Sequence, residues 1–184
     1  MWPFKRKTEI KTILDQHLDG DFSVFACGND APSESVLQDF EREIGFQLPQ
    51  DFRAFSISPL GGICVEAKQE IWPRAKEYAV GPFWSFLYGV FVFGLARGIP
   101  EWMDIRIQTT LFRENTKTSL VPFLKIVGDA NVYCFEQHGS VCRWDHELGR
   151  AQPIALNFGE VFAQEIAELR KRKDRKKAEG RTNR

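Results

Sequence analysis

The hydrophobic pattern of this chain is most regular over residues 33–62, where it predicts two helices joined by a tight corner. The first helix is indicated by apolar residues that recur at helical spacing, namely Val36, Leu37, Phe40 and Ile44. Gly45 follows as a left-handed cap, because glycine has no Cβ to oppose a positive φ. Pro49 begins the second helix, at a position where a backbone N–H would have no intrahelical partner. Phe52 and Phe55 lie on one face of that helix.

The remaining pattern predicts further helices and a series of short strands. Helical spacing indicates helices over residues 8–18 and 100–112, and a last helix that starts after Asn157. Residues 21–32 are predicted as a loop, or as a loop with one short strand over residues 22–26. Apolar runs indicate strands near 63–66, 90–95, 121–127, 131–136, 140–144 and 152–156. Because helices come first, strands follow and a helix comes last, the order predicts one α+β domain over residues 1–169 and argues against a parallel βαβ fold.

The chain contains four cysteines, at positions 27, 64, 134 and 142, without the spacing of a metal site. Cys134 and Cys142 would face each other in a hairpin if residues 137–139 form a three-residue turn with Gly139 in the left-handed region. A disulfide is sterically possible there. The N-terminal residues lack the apolar core of a secretory signal, so we expect reduced thiols and a cytoplasmic protein.

An uncharged run over residues 78–96 approaches the length of a membrane-spanning helix. Gly81 and Pro82 interrupt it near its start. Gly89 and Gly94 then bracket a short apolar segment that is typical of a strand buried on both faces. We therefore expect no stable insertion into a membrane.

The formal net charge of zero is the sum of an acidic body and a basic end. Residues 170–184 carry nine Lys or Arg against two acidic residues, so residues 1–169 carry 16 basic and 23 acidic groups. We expect a solvated, disordered tail over residues 170–184, because these residues belong to no apolar stripe. Attraction to nucleic acid or to an anionic membrane is a second hypothesis, and docking onto the acidic body is a third. The lack of interleaved aromatic residues argues against specific binding of nucleic acid.

The residues do not form a pattern that indicates catalysis or a cofactor. The three histidines are too scattered to indicate a metal site. Asp145, His146 and Glu147 would point to alternating faces of a strand and would not converge on one substrate. Phosphate-binding loops, serine-nucleophile elbows and zinc-protease motifs are absent from the sequence. We therefore predict a protein that is not an enzyme and that binds no metal and no cofactor.

Two blocks of the chain resemble the SUKH superfamily, which includes the Smi/Knr-type fungal cell-wall regulators and many bacterial immunity proteins. The first block is F-E-x-x-x-G-x-x-L-P-x-D-F-R-x-F over residues 40–55, followed by the pair Gly61-Gly62. The second contains Pro122-Phe123, Gly128-Asp129 and the run V-C-R-W-D-H over residues 141–146. The resemblance covers residues 33–170 and implies a SUKH-like domain with a mixed, mainly antiparallel sheet packed against helices.

The resemblance also implies a function in protein binding. In bacteria such domains are typically immunity proteins that neutralise one cognate toxin, often a nuclease, so we expect a single protein partner, a basic toxin domain. A regulatory scaffold of the Smi/Knr type is the alternative, and an enzyme with an unrecognised site is a third possibility. The partner would be bound through the acidic surface, with aromatic residues as anchors at its centre. The alternative is that the acidic residues are an ordinary solvated helix face and that the aromatic run Phe83, Trp84, Phe86 and Tyr88 belongs to the core. The candidate partner-binding residues are Glu34, Asp39, Glu41, Glu43, Trp84, Phe86 and Tyr88.

Overall fold

The computed structural model describes residues 10–27, 30–75 and 82–182, which form a seven-stranded sheet with helices on both faces. The strands are β1 (Phe22–Ala26), β2 (Ile63–Ala67), β3 (Gly89–Val92), β4 (Val121–Ile126), β5 (Val132–Phe135), β6 (Val141–Asp145) and β7 (Arg150–Ile154). The α-helices are α1 (Ile10–His17), α2 (Glu34–Ile44), α3 (Gln50–Ser56), α4 (Ile105–Thr116) and α5 (Phe158–Thr182). Short 3₁₀ turns cover Phe83–Phe86, Glu101–Met103 and Gln137–Gly139. The predicted α+β fold class is confirmed.

The strands follow one another in the sheet in the same order as in the sequence, and every neighbouring pair is antiparallel. One isolated parallel bridge, between Gly94 and Asp104, lies outside the sheet. The sheet is therefore a meander with two edges, β1 and β7.

Consecutive residues of β6 show how the two faces of the sheet are used. Arg143 lies over the ring of Tyr133, and the Tyr133 hydroxyl donates a hydrogen bond to Glu165 of α5. Trp144 points the other way and packs edge-to-face against Phe112 of α4. One face of the sheet thus carries α5, and the opposite face carries α4.

The centre of the core is a group of phenylalanine rings beneath α3 and α5. Phe52 of α3 lies 5.0 Å from Phe135 of β5 and 5.0 Å from Phe158 of α5, measured between ring centroids. Phe123 of β4 stacks on Phe135 at 4.2 Å. All four side chains are fully buried. The helix corner identified in the sequence therefore contributes a central part of the core.

Both predicted turns are confirmed in their backbone conformation. Gly45 ends α2 with φ of 88°, and its N–H bonds to the Glu41 carbonyl. In the hairpin between β5 and β6, His138 and Gly139 both have positive φ, and Cys134 is the register partner of Cys142. The four cysteines are free thiols.

The helix predicted over residues 100–112 begins and ends later than expected. Residues 101–103 form a 3₁₀ turn, and α4 starts only after Asp104, whose side chain accepts a hydrogen bond from the Arg106 N–H. The delay has a local cause, because the backbone at Asp104 is also bridged to Gly94. A capping aspartate with extended backbone ends the 3₁₀ turn and begins the helix.

The C-terminal part of the chain differs from the disordered tail that we predicted for residues 170–184. The last helix does not stop with its apolar stripe at Leu169 but continues as α5 to Thr182. Arg170 donates hydrogen bonds to the carbonyls of Gln16 and His17 at the end of α1. Long cationic side chains thus replace apolar contacts in holding this part of α5 to the body. Of the helices described in the structure, none is long and apolar enough to cross a membrane.

Candidate protein-binding surfaces

Glu41, a predicted partner-binding residue, is buried and holds the helix corner together. Its Oε1 atom accepts a hydrogen bond from the Leu48 N–H at 2.7 Å, and its Oε2 atom pairs with Arg53. The hydrogen bond from Arg53 to Glu41 raises the pKa of the Arg53 guanidinium. Both carboxylate oxygens are therefore used inside the fold, where they join the end of α2 to α3.

The other three predicted acidic residues lie exposed on α2. Glu34 forms an ion pair with Arg53, and Asp39 forms one with Arg42 on the same helix. Glu43 interacts electrostatically with arginines of α4. We call Glu34, Asp39 and Glu43 the acidic face of α2. Their charge is partly balanced by neighbouring arginines, so the negative potential of this face is weaker than the sequence alone suggests.

The predicted aromatic residues differ widely in exposure. Trp84 is 62% exposed, and its neighbour Phe83, from the same aromatic run, is 64% exposed. Their rings meet edge-to-face with centroids 5.7 Å apart. Phe86 is half-buried beside Gly128, at a point where a Cβ on that glycine would lie 2.5 Å from the Phe86 Cβ. Phe83 and Trp84, which we call the aromatic pair, are thus the two most exposed rings of this segment.

Tyr88 belongs to the interior packing and not to this surface. The Arg74 guanidinium lies 3.6 Å above its ring centroid, and Trp72 packs against its edge. Trp72 also donates a hydrogen bond from Nε1 to the Ser85 carbonyl at 2.9 Å. Through these contacts, Tyr88 and Trp72 support the 3₁₀ turn that presents the aromatic pair.

The acidic face of α2 and the aromatic pair lie near opposite ends of β4. At the first end, Arg113 donates hydrogen bonds to the carbonyls of Ile44 and Leu120. At the other end, Gly128 packs directly against Phe86. A strand of this length spans roughly 20 Å. The structure therefore separates residues that the sequence analysis placed on one candidate surface.

An arginine of α5 holds the end of the 3₁₀ turn that carries the aromatic pair. Arg172 of α5 donates a hydrogen bond from Nε to the Leu87 carbonyl at 3.1 Å. Its Nη2 atom is buried and has no hydrogen-bond partner among the described residues. Burial lowers the pKa of the Arg172 guanidinium. Arg172 fixes the 3₁₀ turn to α5 and places a cation behind the aromatic pair.

A groove of about 1430 Å³ lies on the α5 face of the sheet, near the β1 edge. Its walls come from α1, α3 and the start of α5, with Leu14, Leu18, Val24, Phe55 and Leu60 among the apolar lining residues. Asp15, Asp51 and Lys11 supply charged groups. The sequence analysis did not identify this groove, because its walls come from segments that are far apart in the chain.

The described His, Cys, Asp and Glu side chains do not form a metal-binding cluster. No group of three or more His, Cys, Asp or Glu side chains in residues 10–27, 30–75 and 82–182 could hold a metal ion. Burial raises the pKa of the Cys64 thiol to about 12, and burial also raises the pKa of the Cys134 thiol. These thiols are therefore poor nucleophiles at neutral pH. Tyr133 is buried and bonded to Glu165, and its pKa is raised mainly by burial.

Comparison with known proteins identifies one family. The family model described as SMI1 / KNR4 family (SUKH-1) matches residues 31–164, which is well over half of the chain. The match runs from the loop before α2 into the first part of α5, and α1 and β1 lie outside it. No curated protein matches the chain.

Proposed function

Since the chain belongs to the SMI1 / KNR4 family (SUKH-1), we propose that it acts by binding another protein, as an immunity protein that neutralises a cognate bacterial toxin. Domains of this family have, in general, immunity or regulatory functions. The proposed partner is a basic toxin domain such as a nuclease. In this proposed function the protein has no catalytic role and needs no metal or cofactor.

The observation that supports a binding function best is the aromatic pair. Phe83 and Trp84 expose large apolar rings to solvent, although their 3₁₀ turn is held in place by Trp72 and Arg172. Aromatic residues are enriched among those that contribute most to binding energy, especially when they are held rigidly before binding. The aromatic pair is therefore the proposed anchor of the complex.

The acidic face of α2 is proposed to act as a separate, steering surface. Exposed charges at the margin of an interface mainly change the rate of association, whereas buried anchors mainly change the rate of dissociation. Because the two surfaces lie near opposite ends of β4, which spans roughly 20 Å, a partner that touches both must extend along this strand. A smaller partner would use one of them.

The biological test is co-expression with the product of the neighbouring gene. That product should arrest growth alone, and this protein should restore growth in the same cells. If the product is harmless, or stays toxic when both are expressed, the immunity function is wrong. A regulatory scaffold with several weaker partners is then the better hypothesis.

The physical test uses the kinetics of binding to the same toxin domain. The double variant Phe83→Ala, Trp84→Ala should raise the dissociation rate at least tenfold, because alanine removes most of the buried ring surface. Leu148→Ala is the matched control, since Leu148 is also an exposed apolar residue, 57% exposed, but lies in the turn between β6 and β7. Equal effects of the double variant and the control would exclude the aromatic pair as the anchor.

A parallel measurement tests the acidic face of α2. Asp39→Asn together with Glu43→Gln should slow association severalfold at low salt and leave the dissociation rate nearly unchanged. Glu147→Gln, another exposed carboxylate in the turn after β6, is the control. An unchanged association rate would show that this face does not steer the partner.

A further inference from the structure

The two edges of the sheet are protected very differently against pairing with another strand. β7 carries Arg150 and Gln152 and also Pro153, which has no N–H to donate. Charged residues and proline are the usual means by which edge strands avoid association. β1 has the sequence FSVFA, with no charge and no proline. Within the part of the chain that the structure describes, the β1 edge is therefore the one open to pairing.

Hydrogen bonds at the two ends of β1 show which backbone groups face outward. The Asp21 carbonyl accepts from the Lys68 N–H at 2.8 Å, and the Cys27 N–H donates to the Gly62 carbonyl at 2.9 Å. Hydrogen-bonded pairs alternate along an antiparallel ladder, so Ser23 and Phe25 direct their N–H and C=O groups toward β2. Those of Val24 and its even-numbered neighbours point away from the sheet.

The side chains of Val24 and Phe25, next to these outward-pointing backbone groups, are apolar and half exposed. Val24, which lines the groove on the α5 face of the sheet, is 50% exposed. Phe25, on the opposite face, is 51% exposed. A strand added at this edge would cover both side chains. The acidic residue just before β1, Asp21, already forms ion pairs with Lys173 and Lys177, so its charge does not oppose pairing.

We propose that the β1 edge pairs with the β1 edge of a second copy of this chain, antiparallel about a twofold axis at Val24. This register overlaps all five residues of the strand. It places Val24 opposite Val24, Phe22 opposite Ala26 and Ser23 opposite Phe25, so each phenylalanine faces a small side chain. Two seven-stranded sheets would then become one continuous sheet. The proposal goes beyond the proposed toxin binding and does not depend on it.

We propose a second copy of this chain as the partner at the β1 edge because this edge is complementary to itself. A twofold interface requires a surface that matches itself, and a strand without charge whose large and small residues alternate about its centre meets this requirement. The short edge indicates a small and therefore weak interface, which should form reversibly at concentrations of roughly 10 µM to 1 mM. The β1 edge lies outside residues 31–164, so the family match neither includes nor predicts it.

The first test is disulfide trapping in a Cys27→Ser background. Residues opposite each other in a hydrogen-bonded pair have Cα atoms about 5.5 Å apart, which suits a disulfide. Val24→Cys should therefore give a covalent dimer under mild oxidation. Phe25→Cys is the matched control, because Phe25 faces Ser23 of the second copy and should cross-link at least tenfold more slowly. Equal cross-linking of the two variants, or none, would overturn the proposed register.

The second test is sedimentation of the unmodified protein over the same concentration range. The mass of the wild type should rise from the monomer value toward twice that value. Val24→Pro removes one outward N–H without breaking the β1–β2 ladder and should remain monomeric, whereas Val24→Thr keeps the N–H and should still dimerise. Circular dichroism checks that both variants fold. A wild type that stays monomeric throughout would overturn the proposal and would favour a strand from a different protein at this edge.

Discussion

Glu41 and Glu43 lie on the same helix two positions apart, yet the structure gives them different roles. Glu41 is 8% exposed and binds Leu48 and Arg53, whereas Glu43 is exposed at the surface. Their spacing on an α-helix, about 200°, places one carboxylate in the core and the other in solvent. The acidic residues of α2 look alike in the sequence, but one of them is structural and the others lie at the surface.

Substitution by glutamine separates these two roles. Glu41→Gln should lower the free energy of unfolding by about 2 kcal/mol, because a charge-assisted pair with Arg53 is lost in a buried site. Glu43→Gln should change it by less than about 0.5 kcal/mol. Chemical denaturation of both variants provides the measurement. Equal stabilities would show that Glu41 does not hold the corner.

Gly45 provides a second test at the residue scale. Its φ of 88° is unfavourable for a β-branched residue, and no atom lies within 4 Å of the position that a Cβ would occupy. Gly45→Val should therefore cost about 1–2 kcal/mol through backbone strain alone. Gly20→Ala is the control, since Gly20 also has open space around it and lacks a positive φ of this kind. A neutral Gly45→Val variant would contradict the left-handed cap.

The elements that differ most from expectation are the two whose ends depend on distant contacts. The start of α4 is set by Asp104 and its bridge to Gly94, and the end of α5 is held by α1 and the loop before β1. Lys173 is the clearest case, with 1% of its surface exposed and its Nζ atom 2.7 Å from Asp19. Its aliphatic stem is buried along with the ammonium group.

Truncation tests whether the C-terminal part of α5 stabilises the body. Deleting residues 173–184 should lower the melting temperature by several degrees, because it removes Lys173 and Lys177 and leaves Asp19 and Asp21 without their cations. Deleting only residues 179–184 keeps both lysines and should have little effect. Thermal unfolding followed by circular dichroism compares the two. If neither deletion changes the melting temperature, the ion pairs of Lys173 and Lys177 do not contribute measurably to stability.

At the scale of the whole molecule, the acidic body and the basic end of the chain meet in one cluster. Lys173 and Lys177 lie on α5, and Asp19 and Asp21 lie in the loop between α1 and β1. This contact brings residues that are more than 150 positions apart in the sequence next to each other. Part of the opposite charge of the acidic body and the basic end is thus paired within the fold.

The cluster predicts how stability depends on pH. The hydrogen bond from Lys177 lowers the pKa of Asp21 below its usual value near 4. A carboxylate whose pKa is lower in the folded state contributes stability above its unfolded pKa and loses that contribution as the pH falls through the folded pKa. Lys177→Met should therefore be less stable than the wild type at pH 7, and the difference should shrink below about pH 4.

Urea denaturation at several pH values measures this dependence. Lys117→Met, at an exposed position just after α4, is the control and should show a small difference that does not change with pH. A Lys177→Met difference that stays constant down to pH 2 would mean that Asp21 is not stabilised by Lys177. High salt should reduce the difference at pH 7, because both side chains are partly exposed.

The fold class and most element positions could be predicted because they depend on local patterns. The stripe that ends at Ile44, the glycine after it and the alternation within the later strands each express a backbone preference over a few neighbouring residues. The match to the SMI1 / KNR4 family (SUKH-1) confirms the resemblance carried by those same residues. The short strand β1 also formed where the sequence allowed one.

The binding surfaces could be predicted only in part, because exposure depends on contacts between distant residues. The run of aromatic residues was recognisable in the sequence, but contacts with Trp72, Arg74 and Arg172 decide that Tyr88 is partly buried and that Trp84 is exposed. No local sequence pattern predicts the groove or the position of β1 at an edge of the sheet. Whether a strand is at an edge is a property of the sheet and not of its own five residues.

The sequence by itself determined the helix corner, the turns and the α+β class of this protein, because these follow from backbone preferences and hydrophobic periodicity within short segments. Only the tertiary structure decided which carboxylates are structural, where α5 ends and which aromatic rings face solvent. Those outcomes depend on ion pairs and packing between segments that are brought together by folding, such as Lys173 with Asp19 and Arg172 with Leu87. A local sequence pattern does not indicate which distant residue will contact a given side chain in the folded protein.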